Sequence, residues 1–89
     1  MKKYYIEIQP MLRPNEEGRI LDLTKFKGKS NNTYYLLSKC KRYINSLNDY
    51  IRIDFIVTFK KNNCPYKFRI YHTIDGLLKG VKDFLIKED

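Results

Sequence analysis

Lysine, arginine and tyrosine recur at alternate positions along this chain. That combination suits one chemistry well: cations that hold phosphates beside rings that stack on bases. In residues 50–72, YIRIDFIVTFKKNNCPYKFRIYH, the odd positions Ile51, Ile53, Phe55, Val57 and Phe59 are apolar. The even positions Arg52, Asp54, Ile56, Thr58 and Lys60 are mostly polar. Beyond a turn at 60–65, Phe68 and Ile70 alternate with Lys67, Arg69 and Tyr71. Residues 3–12 follow the same period, with Tyr4, Ile6 and Ile8 on one side and Tyr5, Glu7 and Gln9 on the other. Pooling the polar sides predicts one surface bearing Tyr5, Arg52, Lys60, Lys67, Arg69 and Tyr71, with Lys61 at the turn beside it.

A second cationic stretch, KFKGKS, places Lys25, Lys27 and Lys29 just before a helix start. Read as a mobile basic loop, it adds another phosphate contact, favoured by the helix N-terminus. It is not a phosphate-binding P-loop, because the spacing of glycines and lysine is wrong. Other chemistries find little to work with. Cys40, Cys64 and His72 lack the close ligand pairs of structural zinc sites, so neither a metal nor a cofactor is expected. His72 is the sole histidine, with no nucleophile tied to it by a motif, and its place at a strand end predicts a structural hydrogen bond. Asp22 and Lys25 lack the second carboxylate that a metal-dependent nuclease needs. No catalytic residues are assigned, and the expectation is a protein that is not an enzyme.

Strict period two predicts strands at residues 3–12, 51–60 and about 67–71, and RILDLT at 19–24 reads as a further strand with Leu21 and Leu23 inward. Pro10 should end the first strand or sit at a sheet edge. Leu36, Leu37, Cys40, Ile44 and Leu47 recur at helical spacing, predicting a helix over 33–47 capped by Asn31, Asn32 or Thr33. Ile74, Leu77, Leu78, Val81, Phe84 and Leu85 form the stripe of a second helix, with Thr73 as cap and Asp75 in the first turn. The resulting fold class is α+β, in the order ββαββα: a four-stranded, mainly antiparallel sheet with two helices packed on one face. The Tyr/Arg/Lys face would be the uncovered one. It lacks the Gly- and Phe-rich strand motifs of RNA-recognition sheets, so the expectation rests on its residues alone.

With 89 residues the chain makes a single domain, 1–89, with one core and little room for a deep cavity. Its 18 Lys and Arg outweigh 10 Asp and Glu, for a net charge of +8. That balance favours an acidic partner. Two isolated cysteines fit a reduced, cytoplasmic setting, and no stretch reads as a signal peptide or a membrane span. Two functions follow. The first is a binding module for nucleic acid, RNA or DNA, or for a ribonucleoprotein. The second rests on size and AT-rich-codon composition: an inhibitor encoded by a phage or mobile element that docks on a host protein, of the anti-CRISPR kind. A homodimer through an edge strand or the Gly76/Gly80 helix face is compatible with both.

Overall fold

The computed structural model describes residues 3–12, 24–47 and 53–86. The elements are β1 (Tyr4–Leu12), β2 (Phe26–Ser30), α1 (Thr33–Asn45), β3 (Ile53–Lys61), β4 (Lys67–Tyr71) and α2 (Ile74–Ile86). The order is ββαββα, and the four strands form one antiparallel sheet in the order β2-β1-β3-β4. β1 and β3 are the central pair and run together over nine residues each, from Tyr4↔Lys61 to Leu12↔Ile53. Their inward residues Tyr4, Ile6, Ile8, Ile53, Phe55, Val57 and Phe59 are all buried, as period two predicts. Pro10 is accommodated because it lies past Ile8↔Phe26, the last pairing with β2, so the donor it lacks costs no hydrogen bond to that strand.

Both helices cover the inward face. α1 buries Leu36, Leu37, Cys40 and Ile44, and α2 buries Leu77, Val81 and Leu85, in one core cluster with the strands. Phe84 closes one end of it. Its ring meets Tyr4 edge-on at 5.6 Å and Phe59 at 4.7 Å, a contact type that adds to simple burial. Asn32 caps α1 by accepting the Tyr35 N–H at 3.1 Å, and Thr73 Oγ1 accepts the Gly76 N–H at 2.9 Å to cap α2.

Two expectations are corrected. KFKGKS is not a loop: residues 26–30 are β2, an edge strand. Its lysines alternate with half-buried Phe26, Gly28 and Ser30, which is period two written with small inward residues. Gly28 faces inward opposite Ile6, where neighbouring side chains come close: a Cβ there would lie 2.5 Å from Leu36 Cδ1 and 2.8 Å from the Phe26 ring. The strand expected at 19–24 lies outside the described residues but for Thr24, as does Arg52. The second correction concerns β4. The register Phe55↔Tyr71, Val57↔Arg69 and Phe59↔Lys67 puts Tyr71, Arg69 and Lys67 on the helix side. Phe68 and Ile70, expected inward, stand on the open face, 63% and 60% exposed. A one-residue difference in register moves every side chain to the other face.

Cys40 and Cys64 are free thiols, one buried and one exposed. Burial pushes the Cys40 thiol from 9.0 up to about 12 and the Tyr43 phenol, which donates to the Thr24 carbonyl at 2.7 Å, from 10.0 to about 12. Native protein at about pH 8 should therefore release one thiol to a thiol reagent, and denatured protein two. Both shifts are upward, so the stability they carry is full below pH 9 and is lost as pH rises towards 12. The urea midpoint should be lower at about pH 11 than at about pH 8.

Candidate nucleic-acid interface

The pairing registers fix what the open face carries. Lys29, Tyr5 and Lys60 lie in one row across β2, β1 and β3, and Lys27, Glu7, Thr58 and Phe68 form the next row across all four strands. Gln9, Ile56 and Ile70 come after, and Met11 and Asp54 after those. The face is thus cationic towards β2 and apolar towards β4.

The first row opens into a cleft of about 710 Å³ lined by Lys3, Tyr4, Tyr5, Lys29, Lys60, Asn62, Asn63 and Tyr66. Its floor is aromatic: Tyr5 and Tyr66 meet edge to face, centroids 6.2 Å apart and planes at 84°. Lys60 Nζ lies 4.5 Å from the Tyr66 centroid, a cation–π placement. The turn after β3 shapes the rim. Asn62 adopts φ 49°, a left-handed conformation that Asn tolerates. It ties β1 down twice: its N–H donates to the Lys3 carbonyl at 2.8 Å, and its Oδ1 accepts the Lys3 N–H at 2.6 Å. That double tie fixes the end of the cleft to the sheet.

The charged residues that line the cleft, Lys3, Lys29 and Lys60, are all cations, with Glu7 beside it on β1. Lys25 and Lys27 each lie 3.8 Å from Glu7 Oε1, an exposed arrangement worth little in stability. Among the described residues neither Lys29 nor Lys60 pairs with a carboxylate. Tyr5 has its phenol raised above the ordinary value by burial, then by the hydrogen bond it donates to Glu7 at 2.9 Å, then by the Glu7 and Tyr66 charges. It therefore remains a neutral, ring-bearing donor at physiological pH. Behind the sheet edge the bias continues: residues 24–47 hold six Lys and Arg and no Asp or Glu. On α1, Tyr34 and Tyr35 are exposed, with Lys39 Nζ 5.0 Å from the Tyr35 centroid.

Of the residues expected on the binding surface, Tyr5, Lys29 and Lys60 line the cleft, and Lys25 and Lys27 flank it at Glu7. Lys61, Lys67, Arg69 and Tyr71 do not join them. Lys61 pairs with inward Tyr4, and its Nζ sits 5.7 Å over that ring on the helix side. Lys3, Asn62 and Tyr66 were missed. Tyr66 is placed by the structural register alone: with Phe59 opposite Lys67, the residue before Lys67 falls beside Lys60. At the opposite end of the face, His72 Nδ1 lies 2.9 Å from Asp54 Oδ1, the hydrogen bond expected of it. Among the described residues no group of three or more His, Cys, Asp or Glu could hold a metal ion, and no helix is long and apolar enough to cross a membrane.

Compared with family models, curated proteins and solved structures, the chain matches none.

Proposed function

We propose that this chain is a small, non-catalytic module that binds single-stranded nucleic acid, RNA or DNA, free or within a ribonucleoprotein. The observation that carries the reading is the Tyr5–Tyr66 ring pair set among Lys3, Lys29 and Lys60. Aromatic rings offer bases a stacking surface that duplex DNA, with its bases already stacked, does not use. Three lysines around those rings supply the phosphate contacts that dominate affinity. The cleft volume of about 710 Å³ lies within the roughly 300–1,000 Å³ span of ligand-holding sites. Lys25 and Lys27 extend the track along β2.

A salt titration of short labelled single-stranded and duplex RNA and DNA tests this. Three phosphate contacts predict a log–log slope of about −2 for single strands, at about −0.7 per phosphate. Single strands should bind more tightly than duplex. Equal affinity for duplex, or no binding to any strand at low salt, would sink the reading. The second outcome would leave the inhibitor reading, in which the protein docks on a host protein.

A further inference from the structure

The β4 edge is a different surface with a different pattern. As an outer strand of the sheet, β4 turns the main-chain N–H and C=O groups of alternate residues away from β3. Lys67, Phe68, Arg69 and Ile70 are all exposed. On the helix side stand two cations, Lys67 and Arg69. On the open side stand two large apolar groups, Phe68 and Ile70, continued inward by half-buried Ile56. We propose that this edge accepts an extended peptide of alternating acidic and apolar residues, which adds as a fifth strand beside β4.

The charge pattern selects that occupant. A strand laid along β4 sends its side chains alternately to the two faces. Those beside Lys67 and Arg69 would meet the two cations of β4, and those beside Phe68 and Ile70 its two large apolar groups. Acidic residues on one side and apolar residues on the other satisfy both at once. Arg69 is already turned to the backbone: its Nη1 donates to the Phe68 carbonyl at 3.1 Å. A carboxylate beside it offers a charge-assisted, two-pronged alternative. A second copy of the chain fits less well. Pairing β4 with itself about Phe68 sets Lys67 against Arg69, and pairing about Arg69 sets that residue against its own copy. Pairing about Ile70 overlaps only Arg69 to Tyr71. Charge alone could serve as edge protection, but a protected edge would not leave Phe68 and Ile70 bare on its other face.

The test uses the full-length chain and an end-blocked heptapeptide of alternating Glu and Val. A peptide of the same composition, with its Val and Glu residues in separate blocks, is the control. Backbone amide NMR shifts should concentrate at residues 67–71 and the facing part of β3, with the control binding roughly tenfold more weakly. Arg69→Glu and Phe68→Lys should each weaken the alternating peptide by about tenfold, while Lys41→Ala on the exposed side of α1 leaves it unchanged. Both positions are exposed. Should Phe68→Lys not fold, Arg69→Glu decides alone. Equal binding of the two peptides, no β4 shifts at about 1 mM peptide, or the same β4 amides responding instead to single-stranded oligouridylate would each overturn the proposal. So would sedimentation showing that the edge is filled by a second copy. Because these residues lie across the sheet from Lys29, failure here leaves the nucleic-acid reading untouched.

Discussion

Reversing the charge of Lys29 and Lys60 together should weaken single-stranded oligonucleotide binding about a hundredfold at low salt. Both residues pair with Tyr5 across the sheet, one from β2 and one from β3, so they flank the ring pair from its two sides. A phosphate about 4 Å from each gains about 1 kcal/mol per cation in a water-like dielectric, and a Glu in its place turns that gain into a similar loss. The four such terms sum to about 4 kcal/mol before screening; ions and side-chain freedom reduce this to about 2.7 kcal/mol, or a hundredfold. The log–log salt slope should flatten by about 1.4, the share of two phosphates. Tyr66→Ala isolates the other half of the site. It should cost about 1–3 kcal/mol and leave the slope as it was, because stacking is not a counterion effect. The control is Lys79→Glu with Lys82→Glu on exposed positions of α2, which changes net charge equally. If that pair costs as much as the cleft pair, binding is diffuse attraction to a basic protein, and the cleft has no special part in it.

What could be read from the sequence depended on how much packing each element had to satisfy. β1 and β3 are covered on one face along their length, so alternation of Ile, Phe and Val with polar residues was decisive, and both were legible. The helices were legible for the same reason, through seven buried positions at helical spacing. The edge strands were not. β2 has a single large apolar residue, Phe26, on its inward side, beside Gly28 and Ser30, whose types signal a loop, and the close approach of Leu36 to Gly28 is announced by no local pattern. β4 is five residues long with four of them exposed, so hydrophobicity exerted almost no hold on its register.

The candidate site inherits this division. Tyr5 and Lys60 were found because they sit on well-determined strands. The charge of Lys29 is plain in the sequence although its strand is not, and the place of Tyr66 depends on the β3–β4 register. Lys67, Arg69 and Tyr71 were grouped with them because Phe68 and Ile70 are the more hydrophobic pair. Burial would have sorted them correctly only if the helices reached over that part of β4. They reach only as far as Tyr71, which is half-buried against α2.

That contact allows the register of β4 to be tested by stability alone. Gly80 lies inside α2, where Ala is favoured over Gly by about 1 kcal/mol when nothing intervenes. Here the Tyr71 ring intervenes: a Cβ on Gly80 would run into its hydroxyl and would lie 2.7 Å from Cε1. Gly80→Ala should therefore destabilise the protein by about 1–2 kcal/mol, the cost of displacing a ring that burial holds in place, its phenol raised above the ordinary value mainly by that burial. In a Tyr71→Ala background the obstacle is gone, and the same substitution should stabilise by up to about 1 kcal/mol. The difference corresponds to a coupling of about 1–3 kcal/mol, read from urea midpoints of the four proteins in one double-mutant cycle. Were Tyr71 on the open face, Gly80→Ala would stabilise in both backgrounds and the coupling would vanish. Lys67 and Arg69 follow Tyr71 in the pleat. A zero coupling would return all three to the side of Tyr5 and Lys60 and would turn Phe68 and Ile70 towards the helices, taking from the edge the bare apolar pair that the peptide needs, whereas the expected coupling keeps the cationic cleft and the β4 edge as two separate surfaces.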